Sequence, residues 1–164
     1  MKRKGRLRFF SVASSPCLAR KALCGSTNEQ LQKLQRIQNH AARLICRIPK
    51  YNNITPVLKT LHWLPIKARI EFKLAVICYR CNERSVPPYI SDLLKKYTPT
   101  RRLRSETQNL FEIPKTKSTT YGNKSFSYMA SITWNNLPSK LKQCKSLQSF
   151  KTSLKTYLFR KYFH

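Results

Sequence analysis

At 164 residues the chain is sized for one domain with a real core, and 41% apolar residues, with eight Tyr, eight Phe and two Trp, exclude a wholly disordered basic tail. Lysine and arginine number 33 against 6 aspartates and glutamates, a net charge of +27, and so strong a self-repulsion points to a polyanionic partner, nucleic acid first. The acids Glu29, Glu71, Glu83, Asp92, Glu106 and Glu112 are scattered, no two within a helical turn and none in a DxD, DD or ExxE arrangement, which excludes the converging carboxylates that two-metal phosphoryl transfer requires.

Residues 1–25 read as a basic, disordered arm ahead of a helical domain over 26–163. The arm holds Lys2, Arg3, Lys4, Arg6, Arg8, Arg20 and Lys21 and no acid. KRKGRLR at 2–8 resembles a nuclear-localisation cluster, and nuclear is the expected location. The alternative is a mitochondrial transit peptide, which the acid-free start also fits. FFSVASSPCLA is too broken by Ser and Pro for a secretory signal.

The first helix is expected from Ser26 as N-cap, with Glu29 at the capping-box spacing, to just before Pro49. Leu31, Leu34, Ile37, Ala41, Leu44 and Ile48 recur at three- and four-residue steps and predict its buried seam. Lys33, Arg36, His40, Arg43 and Arg47 each precede one of the apolar positions by one residue, a positive ridge along one flank of that seam. Thr55-Pro56 starts a short helix to about His62. A long helix follows from Ile66 to about Arg84, with seam Ile70, Leu74, Ile77 and Cys81 and basic stripe Arg69, Lys73, Arg80 and Arg84. Apart from Glu29, four residues before Lys33, these two stripes lack the i±4 glutamates that exposed helices tend to carry, and side by side the two helices would join them into one positive surface.

Pro87-Pro88 breaks the chain before a helix over 89–97. Between Thr98 and Thr120, RRLRS at 101–105 and LFEIP at 110–114 suggest a small two-stranded ribbon, and Arg101, Arg102 and Arg104 add a third basic patch. Helix returns over 124–136, with Trp134 as core filler. A last helix is capped by Ser146 and turns Leu147, Phe150, Leu154, Tyr157 and Leu158 inward. The fold class is mainly α: one domain of about five to six helices, with an extended or two-stranded element near 101–115.

Three glycines exclude a Gly-rich phosphate loop, and no apolar run is long enough to span a bilayer. Cys17, Cys24, Cys46, Cys78, Cys81 and Cys144 are spread out, several inside apolar helical patterns, and read as reduced, mostly buried thiols. Cys78 and Cys81 form a CxxC, but a structural zinc site needs four ligands, and His40, Cys46 and His62 have no finger-like spacing. No metal, cofactor or small-molecule substrate is expected. His62 has neither an orienting carboxylate nor a nucleophile proposed by the sequence.

The ordered series LQKLQRIQNHAARLI at 31–45, HWLPIKARIEFKLAV at 62–76, PPYISDLL at 87–94, RRLRS at 101–105, YGNKSFSY…TWNNLP at 121–138 and SLQSFKTSLKTYLF at 146–159 resembles the segment downstream of the polymerase core in jockey-like non-LTR retrotransposon reverse transcriptases. The resemblance covers about residues 22–163. It implies a nuclear machine that copies element RNA onto a nicked chromosomal end, with this part helping to grip nucleic acid. The polymerase's aspartate pair and the endonuclease's acids and histidines have no counterpart, so no catalytic residue carries over. Residues 1–21 depart from the family pattern, as in a severed C-terminal piece with a new start.

The expected function is thus non-catalytic, sequence-tolerant RNA or DNA binding. Lys33, Arg36, Arg43, Arg47, Arg69, Lys73, Arg101, Arg102 and Arg104 are the candidate phosphate contacts. The alternative is a structural module that docks on the polymerase thumb and has no activity of its own. The partners are nucleic acid and, in the second case, a reverse transcriptase core; no membrane is involved.

Overall fold

The computed structural model describes residues 26–99 and 109–164. The arm at 1–25, the proposed strand at 101–105 and Arg101, Arg102 and Arg104 lie outside the described residues. The rest is mainly helical: α1 Asn28–Cys46, α2 Thr55–Thr60, α3 Ile66–Asn82, α4 Pro88–Ser91, α5 Phe126–Asn135, α6 Ser139–Lys142 and α7 Leu147–Phe163, with a 3-10 turn at Gly122–Lys124. Among the described residues no helix is long and apolar enough to cross a membrane.

The helix α3 is the hub, packing on α5, α7 and α1. Leu74, Ala75, Cys78, Tyr79 and Cys81 are buried along it, and Ile77 is half-buried at the seam's edge. Both thiols of the CxxC therefore sit in the core, and the Cys78 Sγ donates to the Ala130 carbonyl at 3.5 Å. Phe150, Leu154 and Leu158 of α7 close the core from one side and Trp134 of α5 from the other. The Tyr79 and Phe150 rings stack at 4.5 Å, and Trp134 meets Phe150 at 6.0 Å. Ser146 caps α7, as its sequence suggests, by accepting from the Ser149 N–H. Gly122 has no room for a side chain, because a Cβ there would overlap Thr116.

Four expectations are corrected. The capping box of α1 is formed by Thr27 and Gln30, one residue later than Ser26 and Glu29. The helix expected over 89–97 is only α4, because Lys95–Tyr97 leaves helical geometry to pair with the segment after residue 108. Tyr97 N–H donates to the Leu110 carbonyl at 2.9 Å and Glu112 N–H to the Lys95 carbonyl at 2.8 Å. That single antiparallel bridge, Lys96 with Phe111, stands where the ribbon was expected, and the described residues contain no strand. The fourth correction concerns α1. Its buried residues are Gln38 and Ala42, with Leu31, Gln35 and Cys46 half-buried, while Leu34, Ile37, Leu44 and Ile45 are 38%, 66%, 82% and 38% exposed.

The glutamines explain the rotation. Gln38 donates to the Leu64 carbonyl at 2.9 Å, and Gln35 accepts from the Ile66 N–H at 2.9 Å. Both bonds satisfy backbone groups of the α2–α3 connection, which would be costly to bury unpaired. The helix turns its amide face inward for them and leaves its more apolar face outside. Ala42 packs with Val57 and Leu58 of α2 in a second, smaller core.

Two tyrosines tie the fold to alkaline pH. The Tyr79 hydroxyl donates to the Cys144 carbonyl at 2.8 Å, and burial first, with the Glu83 carboxylate second, pushes its pKa up to about 12. Tyr162 donates to Glu71 Oε1 at 2.6 Å, and burial followed by that carboxylate moves its pKa upward too. A raised folded-state pKa contributes stability that is fully present below the unfolded value, near 10, and lost as pH climbs through the folded value. Lysines titrate in the same window, so the measure is a difference. The stability gap between the parent and Tyr79→Phe is expected to narrow as pH rises from about 10 to about 12. A gap that stays constant across that window in denaturant melts would show that the phenol does not titrate with the fold.

Candidate nucleic-acid interface

Because α1 is anchored through Gln38, its opposite face points to solvent. At 3.6 residues per turn, Lys33, Arg36, His40 and Arg43 fall within about 80° of that outer face, and Arg47 follows at the helix end. Lys33, Arg36, His40 and Arg47 are exposed and Arg43 is half-buried. The ridge thus lies on the solvent side of the helix, and the exposed apolar stripe of Leu34, Ile37 and Leu44 runs beside it. The single ion pair among the described residues is Lys161 with Glu71, at 2.9 Å. No ridge cation is paired with a carboxylate there.

Toward its C-terminal end the ridge deepens into a bowl of about 410 Å³, lined by His40, Arg43, Leu44, Arg47, Ile48 and Lys50. Local backbone geometry builds it. Arg47 ends α1 in the left-handed region at φ 51. Its N–H reaches the Leu44 carbonyl at 3.4 Å, while the Ile48 N–H reaches that of Arg43 at 3.1 Å, the pattern of a Schellman close. A tight turn follows, closed by Asn52 N–H to the Pro49 carbonyl at 3.3 Å. Arg43 Nη2 donates to the Asn52 carbonyl at 3.5 Å and holds that turn against the helix, while its buried Nε lacks a partner among the described residues.

His62 and Arg84 close α2 and α3 in the same left-handed way, at φ 51 and 53. Glycine is the usual residue there, and a side chain in that conformation costs about 1–2 kcal/mol. In this glycine-poor chain Arg47, His62 and Arg84 occupy these positions, and the two arginines also place a positive charge at the negative end of a helix dipole.

The second stripe is differently placed. Arg69, Lys73 and Arg80 share one exposed side of α3, and Arg84 lies past the helix end. Arg69 is engaged within the fold. Its Nε donates to the Leu64 carbonyl at 3.0 Å, its guanidinium lies 5.9 Å from the Trp63 ring, and partial burial moves its pKa downward. Gln38 donates to the same carbonyl from the side of α1 opposite the ridge. Arg69 and the α1 ridge are therefore on opposite sides of the α1 axis, and the two stripes do not meet there as one surface. His40, which the sequence places in the stripe, and Lys50, just past Pro49, line the bowl with Arg43 and Arg47. Lys50 could not be found by helical spacing, because it reaches the bowl through the turn.

Among the described residues no group of three or more His, Cys, Asp or Glu converges as a metal site would require. Trp134 is 1% exposed and its Nε1 donates to the Asn109 carbonyl at 2.8 Å, so it fills the core as expected and offers no face to a base. Comparison of the chain with protein-family models, with curated proteins and with solved structures finds no match.

Proposed function

We propose that this chain is a non-catalytic, sequence-tolerant nucleic-acid-binding piece, corresponding to the region downstream of the polymerase core in a jockey-like non-LTR retrotransposon reverse transcriptase and acting in the nucleus. The family reading rests on the ordered motifs of the sequence. The binding reading rests on one observation: Lys33, Arg36 and Arg43 of α1 and Arg47 at its end, with His40 among them, form one ridge, and among the described residues no carboxylate is ion-paired with it. Phosphates supply what the fold withholds, with affinity from charge and little sequence preference.

Salt titration tests it. A ridge making about five phosphate contacts gives a log–log slope of affinity against salt near −4.5 on duplex DNA, or about −3.5 on a single strand. Replacing Lys33 and Arg36 by Gln is expected to weaken binding about equally for unrelated sequences and to make the slope shallower by about one to two units. Both side chains are exposed, so the helix signal should persist. A double variant that stays folded and binds as the parent does would sink the reading.

A second reading is favoured by the exposed apolar stripe. Leu34, Ile37 and Leu44 on one side of α1 suit a docking module for a polymerase core. In that case Ile37→Gln with Leu44→Gln improves solubility and abolishes association with the core, while the ridge variant changes nothing.

A further inference from the structure

The turn beside the bowl carries an aromatic ring where turns usually carry small polar residues. Tyr51 sits at the tip of the turn that Asn52 and Pro49 close, and it is 96% exposed. It follows Lys50 directly, and the Arg43 bond to Asn52 fixes the turn to the helix that bears Arg47 and His40. Leu44, 82% exposed, and Ile48 give the bowl an apolar floor. An exposed ring, apolar lining and three surrounding cations, Arg43, Arg47 and Lys50, with His40 beside them, form a combination that a solvated charged face does not need.

We propose that the bowl and Tyr51 form a subsite for an unpaired nucleotide, so that the interface takes single-stranded nucleic acid in preference to duplex. This rests on the nucleic-acid reading above and names its substrate class. The phosphate lies among Arg43, Arg47 and Lys50, with His40 beside them, and the base lies on the Tyr51 ring. A base inside a duplex is already stacked on both faces and has none to offer, whereas a splayed base exposes one whatever its identity. The subsite therefore adds strand-state selectivity without adding sequence selectivity.

The test uses the full chain and labelled oligonucleotides of one mixed sequence, as single-stranded DNA, single-stranded RNA and duplex DNA. Tyr51→Ala is expected to weaken single-strand binding roughly 5- to 150-fold, the range that base–aromatic stacking supports, and to leave duplex binding within about twofold. Its salt slope should match the parent's, because no phosphate contact is removed. Tyr51→Phe keeps the ring and should bind as the parent. If the parent binds and Tyr51→Ala binds single strands equally well, or loses as much on duplex, the subsite is refuted while the ridge reading stands. If the parent binds none of the three, both fail. A loss on RNA alone or DNA alone supports the subsite and identifies the strand it takes.

Discussion

Trp134→Ala is expected to cost about 3–5 kcal/mol, a large share of the 5–15 kcal/mol that holds an ordinary domain. The ring is 1% exposed and lies 5.9 Å from Phe111 and 6.0 Å from Phe150, so truncation opens a cavity between the extended segment, α5 and α7. It also removes the donor to the Asn109 carbonyl. Trp134→Phe should recover part of the loss, since it refills much of the volume but not the hydrogen bond. Leu44→Ala is the contrast: on an 82% exposed side chain it should move stability by less than about 0.5 kcal/mol. Equal costs for Trp134→Ala and Leu44→Ala in equilibrium denaturation would mean that the buried face of α1 has been misassigned.

Asn135→Ala should follow, at about 2–4 kcal/mol. The Asn135 side chain acts as a strand edge for the segment at 109–114. Its Oδ1 accepts from the Phe111 N–H at 3.0 Å and its Nδ2 donates to the Phe111 carbonyl at 2.9 Å. Ser131 Oγ adds a bond to the Glu112 carbonyl at 3.0 Å. Each bond is worth about 1 kcal/mol net, and a backbone group left unpaired costs a further 1–3 kcal/mol. The loss should be local first, so amide exchange at Phe111 and Tyr97 should accelerate well before exchange in α3 does. Unchanged protection at Phe111 would show that packing alone holds the segment.

The contrast between α3 and α1 shows what the sequence carried. The helices α3, α5 and α7 could be read because their apolar spacing and their burial agree. Leu74, Phe150 and Leu154 are buried as their periodicity suggests, and Trp134 is buried as a core-filling ring. In α1 the same rule misleads, since Leu34 and Leu44 are outside and Gln38 is inside. Hydrophobic patterning says nothing of a buried amide that serves a loop carbonyl 26 residues away. The stretch at 92–97 fails for a related reason: its helical spacing yields to hydrogen bonds with residues beyond 108, and no local signal announces a distant partner. The placement of Lys33, Arg36, His40 and Arg43 on one face does not depend on the seam, because spacing alone aligns them whichever face is buried. Tyr51 had no signal, since exposure at a turn tip is set by the turn rather than by any periodicity.

With one ion pair among the described residues, almost none of the repulsion between surface cations is relieved inside the molecule. A polyanion bound at the ridge, as proposed, would be a counterion as well as a ligand, and the folded chain would be the form it holds. By mass action, free ligand at about a hundred times its dissociation constant adds about 2.7 kcal/mol to folding. Added salt acts in two directions: it screens the repulsion that opposes the fold while loosening the polymer that offsets it. If the proposed binding holds, folding and binding are coupled through the same ions, and the nucleic acid would work as part of the structure it is bound by.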